Sequence, residues 1–314
     1  MTEVVERSRV RADAPGETRQ VRVRAPGEPR RVAYLYIAPA FLFYLVFAFG
    51  PLVYTTWLSF FDWDGLTVGT WVGIDNYREV LDDPGIRTSF VHSFELIFFY
   101  AVLPVVLGLA LASVITHSRV RGVTFFRAVL FLPQTVATVV VAIAWVWIYA
   151  PDGPLNEALD AVGLSGISRG WLGDFDFALP ALGLVGTWVM FGLCLVLFLA
   201  GIQKIPYSLY EAARVDGAGR VREFFAVTLP GLRGELAVAL TLTTIMALRT
   251  FDLIYVSTSG GPGTSTTVPS VLVYQNAFVN GRVGLAAAVA VVLTALIFVV
   301  AFAITRLVDR DPSR

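Results

Sequence analysis

The chain has 314 residues, 56% of them hydrophobic and 15% charged, and its formal net charge is zero. Soluble domains carry roughly one charged residue in four, so this composition excludes an ordinary water-soluble enzyme and points to a polytopic membrane protein. The single cysteine, Cys194, excludes an internal disulfide or a cysteine-built metal cluster, and its apolar setting, FGLCLVLFLAG, predicts a small packing residue.

Residues 1–31 are polar and hold eight arginines. This arm lacks the apolar region and cleavage site of a secretory signal, and with little to bury it is expected to be disordered and cytoplasmic. Six apolar stretches follow, at about 33–60, 91–115, 128–149, 179–201, 234–256 and 283–307. Each supplies the roughly 20 helical residues that cross a bilayer core, so the expected fold class is an all-α polytopic membrane protein with six transmembrane helices. Pro39 and Pro51 predict a kink in the first span. No strand and no internal repeat is expected, and residues 309–314 read as a short cytoplasmic tail.

Arginine placement sets the expected orientation. The amino-terminal arm and the 116–127 loop, with Arg119, Arg121 and Arg127, are basic, as is the 202–233 loop with Lys204, Arg214, Arg220, Arg222 and Arg233. The 61–90 loop sets Arg78 and Arg87 against six acids, and the 150–178 loop sets Arg169 against five. Basic and acidic loops alternate, which places both termini and the 202–233 loop in the cytoplasm.

That loop is unusually polar for a connection between spans. Pro206 suits a helix start, and YSLYEAARV continues as good helix material with one apolar face. DGAG interrupts it, with Gly217 suited to the left-handed conformation that ends a helix. A second helix, RVREFFAV, is expected to stop before Pro230, leaving a compact knob with its acids and arginines exposed. A DNA-binding helix-turn-helix is excluded by the flanking spans, which leave no free domain to enter a groove. From the residues alone, an inert solvated loop is an equal alternative.

EAARVDGAG (211–219) followed by FFAVTLP (224–230) resembles the EAA loop of permease subunits of ATP-binding-cassette importers. The resemblance continues in VGIDNYREVLDDP (72–84), FLPQTVATVVVAIAWVWIYAPDGPLN (131–156), GTWVMFGLCLVLFLAGIQKIPYSLYEAA (186–213) and FDLIYVSTSGGPGTSTT (251–267). These stretches are similar to the carbohydrate branch, of the maltose and glycerol-3-phosphate kind, and to the first of its two paired permeases. The resemblance implies a bacterial plasma-membrane protein whose loop docks on a cytoplasmic ATP-binding subunit dimer through Glu211, Ala212, Ala213, Asp216, Gly217 and Pro230. It also implies a second permease subunit, an extracytoplasmic solute-binding protein and a carbohydrate substrate. Trp188, Phe191, Gly192, Arg249, Thr250 and Asp252 become its substrate-pathway candidates.

Catalysis is not expected. The only lysine, Lys204, stands in GIQKIP, so the chain cannot supply the G-x-x-x-x-G-K-[ST] loop that cradles phosphates, and ATP must be hydrolysed by a partner. His92 and His117 lie near opposite ends of one span, too far apart to share a metal, and no cofactor is expected. An ion-coupled carrier is the alternative, and would need intramembrane ionisable groups. The candidates are Glu95, Arg249 and Asp252, the last two spaced to neutralise each other on one helical face.

Overall fold

The computed structural model describes residues 30–117 and 122–308. Nearly all of the expected arm, Arg119, Arg121 and the 309–314 tail lie outside the described residues. Two units are distinguished, and the first, ending at Leu52, comprises α1 (Arg30–Tyr44), a π turn over Leu45–Phe49 and the start of α2 (Gly50–Leu58). Pro39 sits inside α1 without ending it.

The second unit opens with a short antiparallel ladder, β1 (Phe61–Asp62) against β2 (Thr70–Trp71), where no strand was expected. Asp64 turns the chain between them by accepting from the backbone N–H groups of Leu66 and Thr67. Helix α3 (Asp75–Asp82) packs Val80 inward, and Asn76 donates to the carbonyls of Ser59 and Phe61, 2.9 Å away in each case. Then come α4 (Pro84–Ile97), a π turn over Phe98–Val102, α5 (Leu103–His117), α6 (Val123–Thr135), α7 (Thr138–Ile148) and the short α8 (Pro154–Ala161). Helix α9 (Ala178–Ile202) leads into a hairpin of α10 (Tyr207–Val215), α11 (Arg220–Glu223) and α12 (Leu229–Gly231). Helices α13 (Arg233–Leu248), α14 (Asp252–Thr258), α15 (Pro269–Tyr274) and α16 (Val283–Val308) complete the fold.

Five helical stretches are long and apolar enough to cross a membrane: Tyr34–Leu58, Pro84–Thr116, Ala178–Ile202, Arg233–Thr258 and Val283–Leu307. The third expected span is instead a bent pair, with α6 and α7 meeting at 98°. Pro133 explains the break. It removes one helical N–H, the Val136 N–H closes back on the Pro133 carbonyl at 3.3 Å, and Val136 turns extended.

Helix α9 is the axis of the packing. Its small residues admit neighbours closely, as interfaces between apolar helices require when no water drives them together. Phe99 lies over Gly183, Tyr100 over Gly186, and Gly108 of α5 faces Cys194. Leu182, Val185, Leu195 and Phe198 are fully buried around these contacts. Cys194 is buried among them, the packing role its sequence setting predicts.

Candidate functional site: the polar hairpin and the mid-bundle cavity

The 202–233 segment folds as two helices across a tight turn. Helix α10 ends where the Ala218 N–H reaches the Ala213 carbonyl (2.9 Å) and the Gly217 N–H reaches Arg214 (3.0 Å). This double bond pattern needs a left-handed residue between, and Gly217 has φ +78°. A Cβ at Gly217 would meet nothing within 4 Å, so backbone conformation alone demands glycine there. Replacement by valine should therefore misdirect the second helix at a cost of about 1–2 kcal/mol, whereas asparagine, which tolerates positive φ, should be accepted. Circular dichroism melts of the purified Gly217→Val and Gly217→Asn proteins would check this, and equal stability of the two would refute it.

The two helices are locked by a charge pair. Arg214 donates Nε and Nη2 to the two carboxylate oxygens of Glu223, at 3.0 and 3.1 Å, and Nη1 to the Tyr207 hydroxyl at 3.1 Å. Glu223 is buried, its side chain only 3% exposed, so the expectation that the knob's acids and arginines all face solvent is corrected. A buried carboxylate needs a partner, and the planar guanidinium fork supplies two parallel bonds to it. Hydrogen bonding to Glu223, and then to Tyr207, holds the Arg214 guanidinium above its ordinary range. Beneath the pair, the Tyr210 hydroxyl and Thr228 Oγ1 lie 3.2 Å apart in the hairpin interior.

Pro230 does not end the second helix, as the sequence reading expects. The chain runs through a π turn over Phe224–Thr228 into α12, closed by the Leu229 N–H on the Phe224 carbonyl. A widened turn relieves the clash that a proline ring makes with the carbonyl four residues earlier. The hairpin base is fixed to the bundle by Leu232, fully buried with Phe198 and Ile202, and by Lys204 paired with Glu235 at 3.0 Å. Glu211, Ala212, Asp216 and Pro230 are exposed and Ala213 is half-buried. Leu209, Val215, Val221 and Phe225 add exposed apolar surface to the same hairpin.

The substrate-pathway candidates divide into three places. Arg249, Thr250 and Asp252 share a cavity of about 380 Å³ with Tyr100, Met190 and Met246. Trp188 and Phe191 lie on another face, in an apolar concavity with Leu107, Leu111 and Val114, and Trp188 meets Trp145 edge-on at 5.6 Å. Gly192 lines neither. It sits at the crossing of α9 with α6, where a Cβ would stand 2.1 Å from the Leu130 carbonyl oxygen.

The expected Arg249–Asp252 neutralisation is not seen. Helix α13 ends at Leu248 and α14 begins at Asp252, so the two residues flank a break instead of sharing a helical face. Neither is in an ion pair among the described residues, and both face the cavity. Ser270 holds the break open by donating to the Thr250 carbonyl. Sequence reasoning missed Tyr100, Met190 and Met246, which look like any other apolar span residue, and also the Arg214–Glu223 pair, whose nine-residue separation has meaning only once the turn is formed.

Residues 104–314 match the family of binding-protein-dependent transport system inner membrane components. The chain belongs to this family. The permease is 37% identical over 269 residues to the probable ABC transporter permease protein YurN of Bacillus subtilis, covering 83% of this chain and 90% of that protein. It is 36% identical to the trehalose/maltose transport system permease protein MalF of Thermococcus litoralis, across 85% of this chain and 90% of the relative. A crystal structure of a bacterial ABC transporter importing the acidic polysaccharide alginate has the same fold. The TM-score is 0.77 at 22% identity, over 90% of this chain and 96% of that one. The permease is thus a multi-pass inner-membrane component with the fold of an ABC importer permease.

Proposed function

We propose that this permease is one transmembrane half of an ATP-driven sugar importer and that its hairpin is the handle on which a separate ATPase subunit pulls. The observation that carries the reading is the hairpin itself. It is internally braced by Arg214–Glu223 and anchored at its base through Leu232 and Lys204, yet it leaves Glu211, Asp216 and several apolar side chains facing outward. A rigid lever with an amphipathic tip suits force transmission between proteins, whereas an inert loop has no need of a buried brace.

The hairpin lies on the cytoplasmic side, as do both termini, in accord with the basic loops. Lacking a phosphate-binding loop of its own, the permease relies on a dimer of cytoplasmic ATPase subunits. A second permease completes the translocation path, and a solute-binding protein delivers the sugar to the opposite face. ATP closes the ATPase dimer, the hairpins move with it, and the spans alternate between inward-facing and outward-facing states. Arg249, Thr250 and Asp252 turn polar groups into the mid-bundle cavity, where paired donors and acceptors suit sugar hydroxyls. Trp188 and Phe191 offer aromatic faces on the neighbouring concavity.

Gentle affinity purification of the tagged permease from its native membrane tests the reading. A second six-span permease and an ATPase are expected to co-purify, and Glu211→Ala should lose the ATPase alone. Recovery of the permease by itself, still transporting after reconstitution without ATP, would instead identify an ion-coupled carrier.

A further inference from the structure

Four aromatic rings form a ladder beside the cavity. Phe251 stacks on Tyr255 with 5.1 Å between ring centres and 14° between planes. Tyr255 meets Tyr274 edge-on at 4.8 Å, and Tyr274 lies 5.4 Å from Phe278. The rings come in two pairs spaced four residues apart, one pair at the start of α14 and one running from α15 into the π turn Gln275–Val279. Helical spacing of four puts each pair on one face.

The ladder has two distinct ends. Phe251 lines the 380 Å³ cavity, whereas Phe278 is 77% exposed. Leu253, Ile254, Val268 and Val271 are buried in the core beneath, while Phe251, Tyr255 and Tyr274 stay half-open. The aromatic stripe also lines the edge of that core, and Phe251 meets Tyr274 directly with ring centres 5.6 Å apart. Its alignment is fixed at both ends, by Ser270 donating to the Thr250 carbonyl and by Gln275 Nε2 donating to the Ser259 carbonyl at 3.3 Å.

Tyr255 and Tyr274, adjacent in the middle of the ladder, carry hydroxyls, so the stripe joins apolar faces to polar tips. That pattern suits a ligand that is itself two-sided, and a pyranose ring presents C–H groups on its faces and hydroxyls at its edge. We propose that Phe278, Tyr274 and Tyr255 form a stacking track that passes a carbohydrate ring from the outer mouth of the permease to Phe251 in the cavity. The track rests on the reading of the chain as a sugar-importer permease. Each ring is replaced by the next at similar energy, which lets a sugar move without a deep trap.

The test uses the complete importer, with its partner permease, ATPase and binding protein, reconstituted in vesicles. A panel of labelled mono-, di- and oligosaccharides identifies the transported sugar. Phe278→Leu and Tyr274→Leu are then expected to lower kcat/KM for its uptake about tenfold each, equivalent to about 1.4 kcal/mol of lost stacking. Phe278→Trp should restore it, because a flat face is what the track supplies. Phe278 is too exposed for its replacement to unfold the chain. Wild-type uptake in both leucine variants, or equal loss in the leucine and tryptophan variants, would overturn the track while leaving the importer reading intact. If the wild-type complex takes up no sugar of the panel with ATP, the importer reading fails and the track falls with it.

Discussion

Gly192→Ala is expected to destabilise the permease by about 3 kcal/mol, the upper end of the range for overpacked cores. The added methyl would stand 2.1 Å from the Leu130 carbonyl oxygen and 2.8 Å from the Leu130 carbonyl carbon and Phe131 Cα. All three are backbone atoms, so no side chain can rotate away, and α6 must move bodily from α9 to make room. Gly234→Ala is the control, since a Cβ there meets nothing within 4 Å. Thermal unfolding of the purified proteins, followed by fluorescence on size-exclusion chromatography, would measure both. A Gly192→Ala protein of normal stability but weakened uptake would return Gly192 to the substrate path.

Arg214→Ala is expected to lower ATP-driven uptake about tenfold or more while ATP hydrolysis continues. Removing the guanidinium strips Glu223 of the two bonds that Arg214 makes to its carboxylate, in a site only 3% exposed. Breaking a buried pair from one side costs far more than replacing both partners by well-packed apolar groups. The double variant Arg214→Met, Glu223→Leu should therefore recover much of the lost transport, since it restores the packing and removes the buried charge together with its guanidinium partner. Comparing sugar taken up with ATP consumed in the reconstituted importer distinguishes loss of coupling from loss of hydrolysis. Full transport by Arg214→Ala would show that the brace does not transmit force.

The existence of the spans was readable because the bilayer requires long apolar helices, and composition alone reports them. The turn at Gly217 was readable too, since few residues but glycine take positive φ without cost, and the structure gives φ +78° there. What local pattern could not show was how the spans break. The 98° bend after α6 and the interruption between Leu248 and Asp252 leave the hydropathy almost untouched. Both are maintained by bonds from elsewhere in the chain or by a single proline, which window averages smooth over.

The sequence by itself determined the class of molecule, its apolar helices and the polar hairpin between two of them, because each follows from short-range chemistry: transfer from water, helix spacing and turn geometry. Only the tertiary structure decided which candidates belong together. Arg249 and Asp252 face one cavity with no ion pair among the described residues, Trp188 and Phe191 turn to another face, and Gly192 sits at a close packing point between helices. The physical reason is that helical periodicity fixes directions relative to one axis, whereas a site depends on where several axes cross. Those crossings are set by close packing of small residues along α9, and no single segment contains that information.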